Sequence, residues 1–434
     1  MATPPASKDL RYLKSSALNI WLLGYEFPET IMVFAKRHIH FLCSQKKASL
    51  LEVVKKTAKE ARGLDVVMHV KAKNEDGTTQ MDTIFRAIHA QPKVDGNNAP
   101  VVGYIAREEP EGKLLETWAE KLKIASFHLT DVSNGLSDLF AVKDEHEILN
   151  VKKAAYLALN VMQNVVVPKL ENVIDEEMEV THSVLMDETE KAILEPFKAK
   201  VKFTAENVDI CYPPIFQSRV GARYNSYCSN IARTLMINAN SLQSKAYKVL
   251  HKAHEAALGA LKPGDKISAA YQAALSVVEK DAPELVPNLT KSAGTGVGLE
   301  FRESGLNLNA KNDRVVKDGM VFNLSLGFQN IWCETKNPKN QNFSLLIADT
   351  VIVREENVEV LTAKSSKNVT DVTYFLNKNH EKVKRPKVKA EANGTDTFMS
   401  KTTLRSDNHE ISKEELGRQH QAEPARQKDE ETAR

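Results

Sequence analysis

Short apolar runs alternate with helical patterns along the first third of the chain, from Tyr12 to about Val142. The strand-like runs are Thr30–Phe34, Ile39–Cys43, Asp65–Val70 and Val101–Ile105, and the helical patterns are Lys47–Ala61, Met81–Ala90 and Lys113–Leu122. This alternation predicts an N-terminal α/β domain with a mixed sheet over residues 1–142. Such a domain usually opens with a helix and a strand packed on the sheet, and almost nothing precedes Tyr12, so we expect its start to be incomplete.

A second region with a different pattern follows, and we assign it to residues 143–376. Apolar residues recur at helical spacing from Asp144 to Val167, and Pro168 is predicted to end that helix. Further helices are predicted at Val180–Leu194, Asn240–Leu261 and Ile267–Val278, and strands at Val208–Tyr212, Tyr224–Tyr227, Gly319–Leu326 and Ser344–Val353. Helices separated by strands of antiparallel character predict an α+β layer fold.

The last segment, residues 377–434, differs from the rest in composition. Apolar residues become scarce beyond about Asn379 and charged residues dominate. Too little apolar surface remains there to offset the entropy of ordering, so a charged tail that is disordered or partly helical is predicted. Disorder is favoured over a partner helix for Ile411–Arg434, because that stretch contains Gly417 and Pro424 and no apolar stripe.

Charge and cysteine content narrow the function classes. With 434 residues, 42% of them hydrophobic, the chain can bury a sizeable core, and its formal charge of +2 gives no global argument for nucleic acid or an acidic substrate. The cysteines lack the short spacing of a zinc finger, and we expect reduced core thiols at Cys43, Cys211, Cys228 and Cys333. Without a membrane-length apolar run or a signal peptide pattern, we expect a soluble intracellular protein with no membrane partner.

Four segments in the second region carry a specific pattern. They are GARYNSYCSNIART at Gly221–Thr234, SAGTGVGLEFRES at Ser292–Ser304, GMVFNLSLGF at Gly319–Phe328 and LLIADTVIV at Leu345–Val353. Their order and content resemble the pita-bread metallopeptidases, the group of methionine aminopeptidase, prolidase and creatinase. The resemblance implies a creatinase-like N-terminal domain followed by a pita-bread domain.

The same resemblance locates the metal-ligand positions of that group on this sequence. In the peptidases, carboxylates and one imidazole hold two divalent metal ions that activate a hydroxide. Here the five positions carry residues unsuited to that role: Arg219, Asn230, Thr295, Ser325 and Ala348. A guanidinium repels a cation, alanine offers no donor atom, and neutral amides and hydroxyls replace carboxylates poorly. We therefore expect no metal, no cofactor, no small-molecule substrate and no peptidase activity.

Longer stretches resemble one family in particular, the large subunit of the FACT histone-chaperone complex. These are SALNIWLLGYEFPETIMVF, ICYPPIFQS, GARYNSYCSNIARTLMI, GVGLEFRES and KDGMVFNLSLGF, with SKTTLRSDNHEISKEEL in the tail. The resemblance implies a nuclear, chromosomal protein that binds histones (H3–H4, H2A–H2B or both) and reorganises nucleosomes during transcription, replication and repair. It also implies an HMG-box partner subunit.

The chain departs from that family in its length. About thirty residues that usually precede Gly221 are missing, so Gln217-Ser218 runs directly into Arg219-Val220, and we expect an internal deletion near residues 218–220 that removes sheet strands. The family regions that join the HMG-box subunit and carry the acidic tail lie beyond Arg434. Association with that subunit and full chaperone competence are therefore in doubt.

Two further groups of residues have a functional and a structural interpretation. A cleft without metal could bind a peptide through Arg233, Arg302 and Glu303, although a buried arginine–carboxylate pair explains the same residues equally well. A basic run in the polar linker could be a nuclear-import signal or a merely solvated segment, and consists of Lys382, Lys384, Arg385, Lys387 and Lys389.

Two histidine pairs invite a metal interpretation. His38 and His40 alternate along a predicted strand, and His251 and His254 lie one helical turn apart. No third ligand is near His38 and His40 in sequence, so an exposed strand face is favoured for them. Lysine and glutamate residues surround His251 and His254, which favours a solvated helix face. Two other functions stay open for the whole chain: an atypical metallo-aminopeptidase, and a degenerate paralogue with little chaperone activity.

Overall fold

A computed structural model describes most of the chain outside its C-terminal segment. The described residues are 1–6, 12–91, 99–176, 178, 180–181, 183–185, 187, 207–211, 217–334 and 341–375. The predicted tail at 377–434 and most of the predicted helix Val180–Leu194 therefore lie outside the described residues. Within the described part, no helix has the length and hydropathy required to cross a membrane.

The first domain contains a four-stranded sheet and a separate parallel strand pair. The sheet has the order β1-β2-β3-β4, formed by Ala2–Thr3, Thr30–Phe34, His38–Ser44 and Asp65–Lys71, and the pair consists of β5, Val101–Tyr104, and β6, His128–Asp131. β1, β2 and β3 are antiparallel, whereas β3 and β4 are parallel. The helices are α1 Lys14–Leu23, α2 Gln45–Arg62, α3 Thr78–His89, α4 Lys113–Ile124 and α5 Ser133–Ala141. The mixed sheet predicted from the sequence is confirmed.

The central strand β3 is buried because both of its faces are covered. Phe41 packs in one apolar cluster with Leu51 of α2, while Leu42, which points the other way, packs with Met81 of α3. Alternate residues of a strand face opposite sides, so a strand between two layers reads as a continuous apolar run. This explains why the run from Ile39 to Cys43 shows no polar alternation apart from His40.

The helix that opens the second region does not end at Pro168. α6 spans Glu145–Val161, a π-helical turn spans Met162–Val166, and α7 spans Val167–Asp175 with Pro168 in its first turn. The predicted end is wrong because the wider π turn changes the hydrogen-bond spacing just before the proline, where Val167 N–H donates to Met162 O. A proline in a first turn needs no N–H partner.

The second region is built on a large sheet. Its main path has the order β12-β11-β13-β14-β9-β8-β7, with β15 paired to β14. The strands are β7 Asn207–Cys211, β8 Gln217–Tyr224, β9 Tyr227–Thr234, β11 Gly294–Gly296, β12 Glu303–Asn307, β13 Val321–Trp332, β14 Asn342–Val353 and β15 Val358–Val360, with a short parallel pair of β10, Met236–Ile237, and β16, Thr373–Tyr374. Helices α8, Ser241–Gly259, and α9, Ser268–Asp281, pack together, and α8 contacts β13 and β14.

A tight hairpin stands where the sequence predicted a strand at Tyr224–Tyr227. β8 and β9 pair antiparallel up to Tyr224 and Tyr227, and Asn225 and Ser226 form the turn with φ of 43° and 67°. Two successive residues with positive φ match the right-handed twist of paired strands, and asparagine tolerates this conformation well. The position of the expected deletion, near residues 218–220, lies within β8, which runs from Gln217 to Tyr224 and pairs with β7 and β9.

The two regions share buried contacts. Phe41 of the first domain belongs to the same apolar cluster as Val297 and Val321 of the second. Lys14 of α1 pairs with Glu300 at 2.8 Å, and both side chains are buried. A buried apolar cluster with a buried ion pair fixes the two regions against each other.

Candidate functional site

The five positions assigned to lost metal ligands lie on five adjacent strands of the large sheet. Ser325 of β13 stands directly opposite Ala348 of β14, and Ala348 stands opposite Ala232 of β9. Ala232 is in turn opposite Arg219 of β8, and Asn230 is two residues before Ala232. Since directly opposed residues and residues two apart share a face, this register places them on one face of the sheet.

Arg219 and Asn230 contact each other within this face. Arg219 Nε donates a hydrogen bond to Asn230 Oδ1 at 3.3 Å, and the guanidinium lies 5.3 Å from the centre of the Phe301 ring. Asn230 is fully buried, and Arg219 is half-buried. A cation therefore occupies part of the face, stabilised by an amide oxygen and by an aromatic ring.

Neutral polar side chains of the neighbouring strands lie on the same face. Thr295 of β11 is opposite Asn323 of β13, and Asn323 is opposite Thr350 of β14. The Nδ2 atom of Asn230 and the Oδ1 atom of Asn323 are buried and have no hydrogen-bond partner among the residues that the structure describes. These residues offer amides and hydroxyls but no carboxylate or imidazole, so they do not fit the two metal ions of the peptidases. Across the part of the chain that the structure describes, no group of three or more His, Cys, Asp or Glu side chains could hold a metal.

Arg233 does not line an open cleft, which corrects the first of the peptide-binding predictions. Its Nη2 contacts Asp349 Oδ1 at 2.7 Å, and both side chains are buried. The guanidinium also donates to the main-chain oxygens of Ala348 and Ser365. Burial alone would raise the pKa of Asp349, but Arg233, His254 and Lys367 hold it well below its usual range. Arg233 therefore forms a buried arginine–carboxylate pair, which is the structural alternative given by the sequence.

Glu303 is also buried, and so it does not share a cleft with Arg302. Lys143 Nζ lies 2.7 Å from each Glu303 carboxylate oxygen, and both side chains are almost inaccessible. Burial raises the pKa of Glu303 to about 7, against the opposing effect of Lys143. Gly298 makes room for this pair, since a Cβ atom there would collide with Glu303 Oε1. Arg302 is exposed, so the three predicted residues do not form one binding surface.

His254 belongs to a buried charged cluster that the sequence interpretation missed. Its side chain is fully buried rather than solvated, with Nε2 at 3.7 Å from Asp349 Oδ2. Lys367 Nζ lies 2.9 Å from the same carboxylate oxygen. The signal was present, because His254 adjoins Ala253 and lies one turn after Leu250 and before Ala257 on the apolar face of α8.

His40 is a second buried histidine, which corrects the expected exposed strand face. His40 Nδ1 lies 3.0 Å from His69 Nε2, and the two rings stack. Burial first, and then the neighbouring His69 and His38, lower the pKa of His40 to about 4. Its partner lies on the neighbouring strand β4, 29 positions along the chain, which local spacing could not reveal.

The structure describes most of the predicted core cysteines but not the predicted import signal. The basic run at 382–389 lies outside the described residues. Cys43, Cys228 and Cys333 are buried free thiols, as expected. The side chain of Cys211 lies outside the described part.

Comparison with known proteins identifies what the chain resembles. Residues 1–135 match the profile of the FACT complex subunit SPT16 N-terminal lobe domain, and residues 151–355 match metallopeptidase family M24. The FACT complex subunit SPT16 of Arabidopsis thaliana is 64% identical over 462 residues, covering 100% of this chain and 43% of the relative. That of Oryza sativa subsp. japonica is 60% identical with the same coverage. The chain thus spans less than half the length of these relatives.

Solved structures place the fold. The N-terminal domain of FACT complex subunit SPT16 from Cicer arietinum is 58% identical, with a TM-score of 0.80 and coverage of 86% of this chain and 92% of that one. A prolidase from Pyrococcus furiosus is 19% identical, with a TM-score of 0.56 and coverage of 81% and 95%. The prolidase comparison shows the fold alone, and together the two confirm the predicted α/β domain followed by a pita-bread domain.

Proposed function

This chain belongs to the SPT16 family of FACT complex subunits, and from that membership we propose that it is a non-catalytic histone-binding component of a FACT complex. Its activity is to hold histones while nucleosomes are opened and rebuilt during transcription elongation, DNA replication and DNA repair. The proposal assigns it to the nucleus and to chromosomes.

The observation that carries the non-catalytic part is the contact between Arg219 and Asn230. In the register of the sheet these residues, together with Thr295, Ser325 and Ala348, occupy the face that the peptidase resemblance assigns to metal ligands. A half-buried guanidinium bonded to Asn230 repels divalent cations, and the neutral residues around it supply too few anionic oxygens. The pita-bread domain then serves as a scaffold for binding.

The proposed partners rest on the family membership, and the proposed domain limits rest on the sequence. We propose core histones, as H3–H4, H2A–H2B or both, and nucleosomes as ligands, and import through the basic run at 382–389. We also propose the divisions 1–142, 143–376 and 377–434, within which the two matched family regions fall. We also propose an HMG-box subunit of the FACT complex as a partner.

The proposal is tested by pulling down purified core histones with the full chain. The chain is immobilised at low salt, incubated with H3–H4 and H2A–H2B separately, and washed with increasing salt. The matched control is an immobilised prolidase, which has the same pita-bread fold without the family membership. We expect histones to be retained on the chain and not on the prolidase; no retention of either histone pair at low salt contradicts the proposal.

A second function, a degenerate paralogue with little chaperone activity, rests on one observation. The Arabidopsis alignment spans 462 residues, 28 more than this chain. This excess supports an internal deletion of the size proposed near residues 218–220. Thermal unfolding discriminates between the two functions, because a single cooperative transition with histone binding supports the first, and a broad non-cooperative transition without binding supports the second.

A further inference from the structure

A cavity of about 1100 Å³ opens between the first domain and the β8–β9 hairpin. Its walls are the end of α1 with the loop that follows it, the N-terminus of α6, and the hairpin itself. We name this cavity the hairpin pocket and define it by Trp21, Tyr25, Asp144, Glu147 and Arg223. None of the five former ligand positions lines it, so it is a feature separate from that face of the sheet.

The α6 wall contains a buried carboxylate without a counter-charge. Glu147 is 8% exposed, and its two oxygens accept one hydrogen bond each, from the Tyr227 hydroxyl at 2.8 Å and the Asp144 N–H at 2.9 Å. Burial, and then the charge of Glu147, raise the pKa of Tyr227, so the phenol stays neutral. The dipole of α6 offsets part of the negative charge, but no cation forms an ion pair with Glu147 among the described residues. An uncompensated buried charge is costly, so this wall favours a cationic occupant.

Exposed aromatic rings stand around the buried carboxylate. Trp21 is 39% exposed and Tyr25 is 67% exposed. Trp21 packs on Phe140 with their ring centres 6.0 Å apart, which restricts the orientation of the indole. Asp144 is also exposed, and it caps α6 by accepting the Glu147 N–H through Oδ1 at 2.8 Å. Aromatic faces attract ammonium and guanidinium groups, and carboxylates pair with them, so the rings and the carboxylates favour the same class of ligand.

Arg223 on the hairpin indicates what else the occupant offers. Its Nε atom is buried and has no hydrogen-bond partner among the residues that the structure describes. A peptide carbonyl supplies the missing acceptor, whereas an isolated ammonium ion does not. The Lys143 ammonium is already neutralised by Glu303, so one guanidinium stands against three carboxylates, which disfavours an anionic occupant. These carboxylates are those of Glu26, Asp144 and Glu147.

The pocket thus combines a cation site with a donor for a peptide carbonyl. Resting on the histone-binding function proposed above, we propose that the hairpin pocket accepts one lysine side chain of an extended basic peptide. The ammonium group pairs with Asp144 and Glu147. The rings of Trp21 and Tyr25 cover the lysine stem, and a main-chain carbonyl of the peptide accepts from Arg223 Nε. Acetylation removes the charge of the lysine, so the pocket distinguishes unmodified from acetylated lysine.

The test measures the binding of short fluorescein-labelled peptides to the full chain by fluorescence anisotropy. The probe alternates lysine and glycine. Two matched peptides of the same length carry acetyl-lysine or phosphoserine in place of lysine. We expect saturable binding of the lysine peptide that weakens with salt, and a Kd at least about tenfold higher for the acetylated peptide, because acetylation removes the ion pair and the cation–π contact together.

Two variants with matched controls connect this binding to the pocket. Tyr25→Ala removes an exposed ring and should raise the Kd of the lysine peptide about threefold. Trp332→Ala, which removes a 62% exposed ring outside the pocket, should leave it unchanged. Glu147→Gln keeps the shape of the side chain and removes the buried charge, and should raise the Kd about tenfold. Glu284→Gln, which removes a half-exposed carboxylate, is its control. Thermal unfolding checks that each variant is folded; if Glu147→Gln is not, Tyr25→Ala and the acetylated peptide decide.

Three results overturn the proposal. They are equal binding of the lysine and acetyl-lysine peptides, binding that neither folded pocket variant weakens, and stronger binding of the phosphoserine peptide, which would indicate an anion site at Arg223. Retention of core histones is measured in parallel on every variant. Histones retained by a chain that does not bind the lysine peptide overturn this inference alone, whereas a chain that retains neither histone pair contradicts the proposed function.

Discussion

Arg219 donates a hydrogen bond to Asn230 at 3.3 Å across the β8–β9 ladder, where the peptidase resemblance assigns two aspartates. The pair replaces two negative charges with one positive charge and one amide. Asn230 and the Phe301 ring hold the guanidinium in place, and we propose that its positive charge opposes the binding of divalent metal ions at this face of the sheet.

Restoring the ligand types should restore metal binding. The variant carries Arg219→Asp, Asn230→Asp, Thr295→His, Ser325→Glu and Ala348→Glu. Without metal, its adjacent carboxylates repel one another and it unfolds at a lower temperature than the original chain. Mn²⁺ at a hundredfold excess over its Kd should stabilise the variant by about 2.7 kcal/mol and leave the original chain unchanged. Thermal unfolding with and without Mn²⁺ measures both effects.

The control retains Ala348 and changes the other four residues, which removes one bridging carboxylate and should reduce the stabilisation by Mn²⁺. Stabilisation of the original chain by Mn²⁺ would contradict the metal-free scaffold. If the variant with all five substitutions folds but its unfolding temperature is unchanged by Mn²⁺ and Co²⁺, these positions do not correspond to the peptidase ligands.

Asp349→Asn should strongly destabilise the fold, because it leaves the buried guanidinium of Arg233 without its counter-charge. Breaking a buried ion pair from one side costs about 3–5 kcal/mol. Urea unfolding of the full chain measures the change. Glu284→Gln, which breaks the half-exposed pair with Lys245, is the control and should leave the urea midpoint unchanged. Equal midpoints for both variants would mean that the Arg233 pair is not part of the stabilising core.

Stability should depend on pH through Glu303. Its pKa is raised to about 7 by burial, from a usual value of 4.5, so the folded state binds a proton more readily than the unfolded state. This contribution is fully present below pH 4.5 and is lost as the pH rises through about 7. The loss amounts to about 3 kcal/mol.

Glu303→Gln removes this titration while keeping the shape of the side chain. Between pH 5 and about 8 the free energy of unfolding of the original chain should fall relative to that of the variant, as followed by urea titrations at several pH values. Parallel curves for the two proteins would show that Glu303 stays ionised against Lys143 throughout this range.

Nuclear accumulation should depend on the basic run in the linker. Replacement by glutamine of Lys382, Lys384, Arg385, Lys387 and Lys389 should abolish nuclear enrichment of a fluorescent fusion of the chain, because an import receptor recognises clustered positive charge. The control replaces five basic residues exposed on the first domain, namely Lys46, Lys56, Lys59, Arg62 and Lys73. Nuclear enrichment that survives the first set of changes, or is lost with the second, would argue for a solvated linker without this role.

Local patterns predicted most strands and helices well. The run Thr30–Phe34 is a strand with those bounds, and the helices near 45–62 and 241–259 differ from prediction by a few residues at their ends. These elements succeed because period and burial are encoded in neighbouring residues. The end predicted at Pro168 failed because a π turn precedes the proline, and Tyr224–Tyr227 failed because Asn225 and Ser226 form a turn.

Less of the candidate site than of the fold could be predicted from the sequence. Motifs identified the five former ligand positions, but only strand register places Ser325 opposite Ala348 and shows Arg219 reaching Asn230. The burial of Arg233 and Glu303 likewise depends on partners 116 and 160 positions away, Asp349 and Lys143. A side chain's charge partner across such distances is fixed by topology, which a single sequence does not reveal.

The most direct test of a metal-free histone-binding scaffold is an equilibrium titration of fluorescently labelled H3–H4 and H2A–H2B with the full chain, in the presence and absence of a strong chelator. We expect saturable binding of at least one histone pair, with the same Kd under both conditions. Loss of binding on chelation, or no binding of either pair under both conditions, would contradict the account.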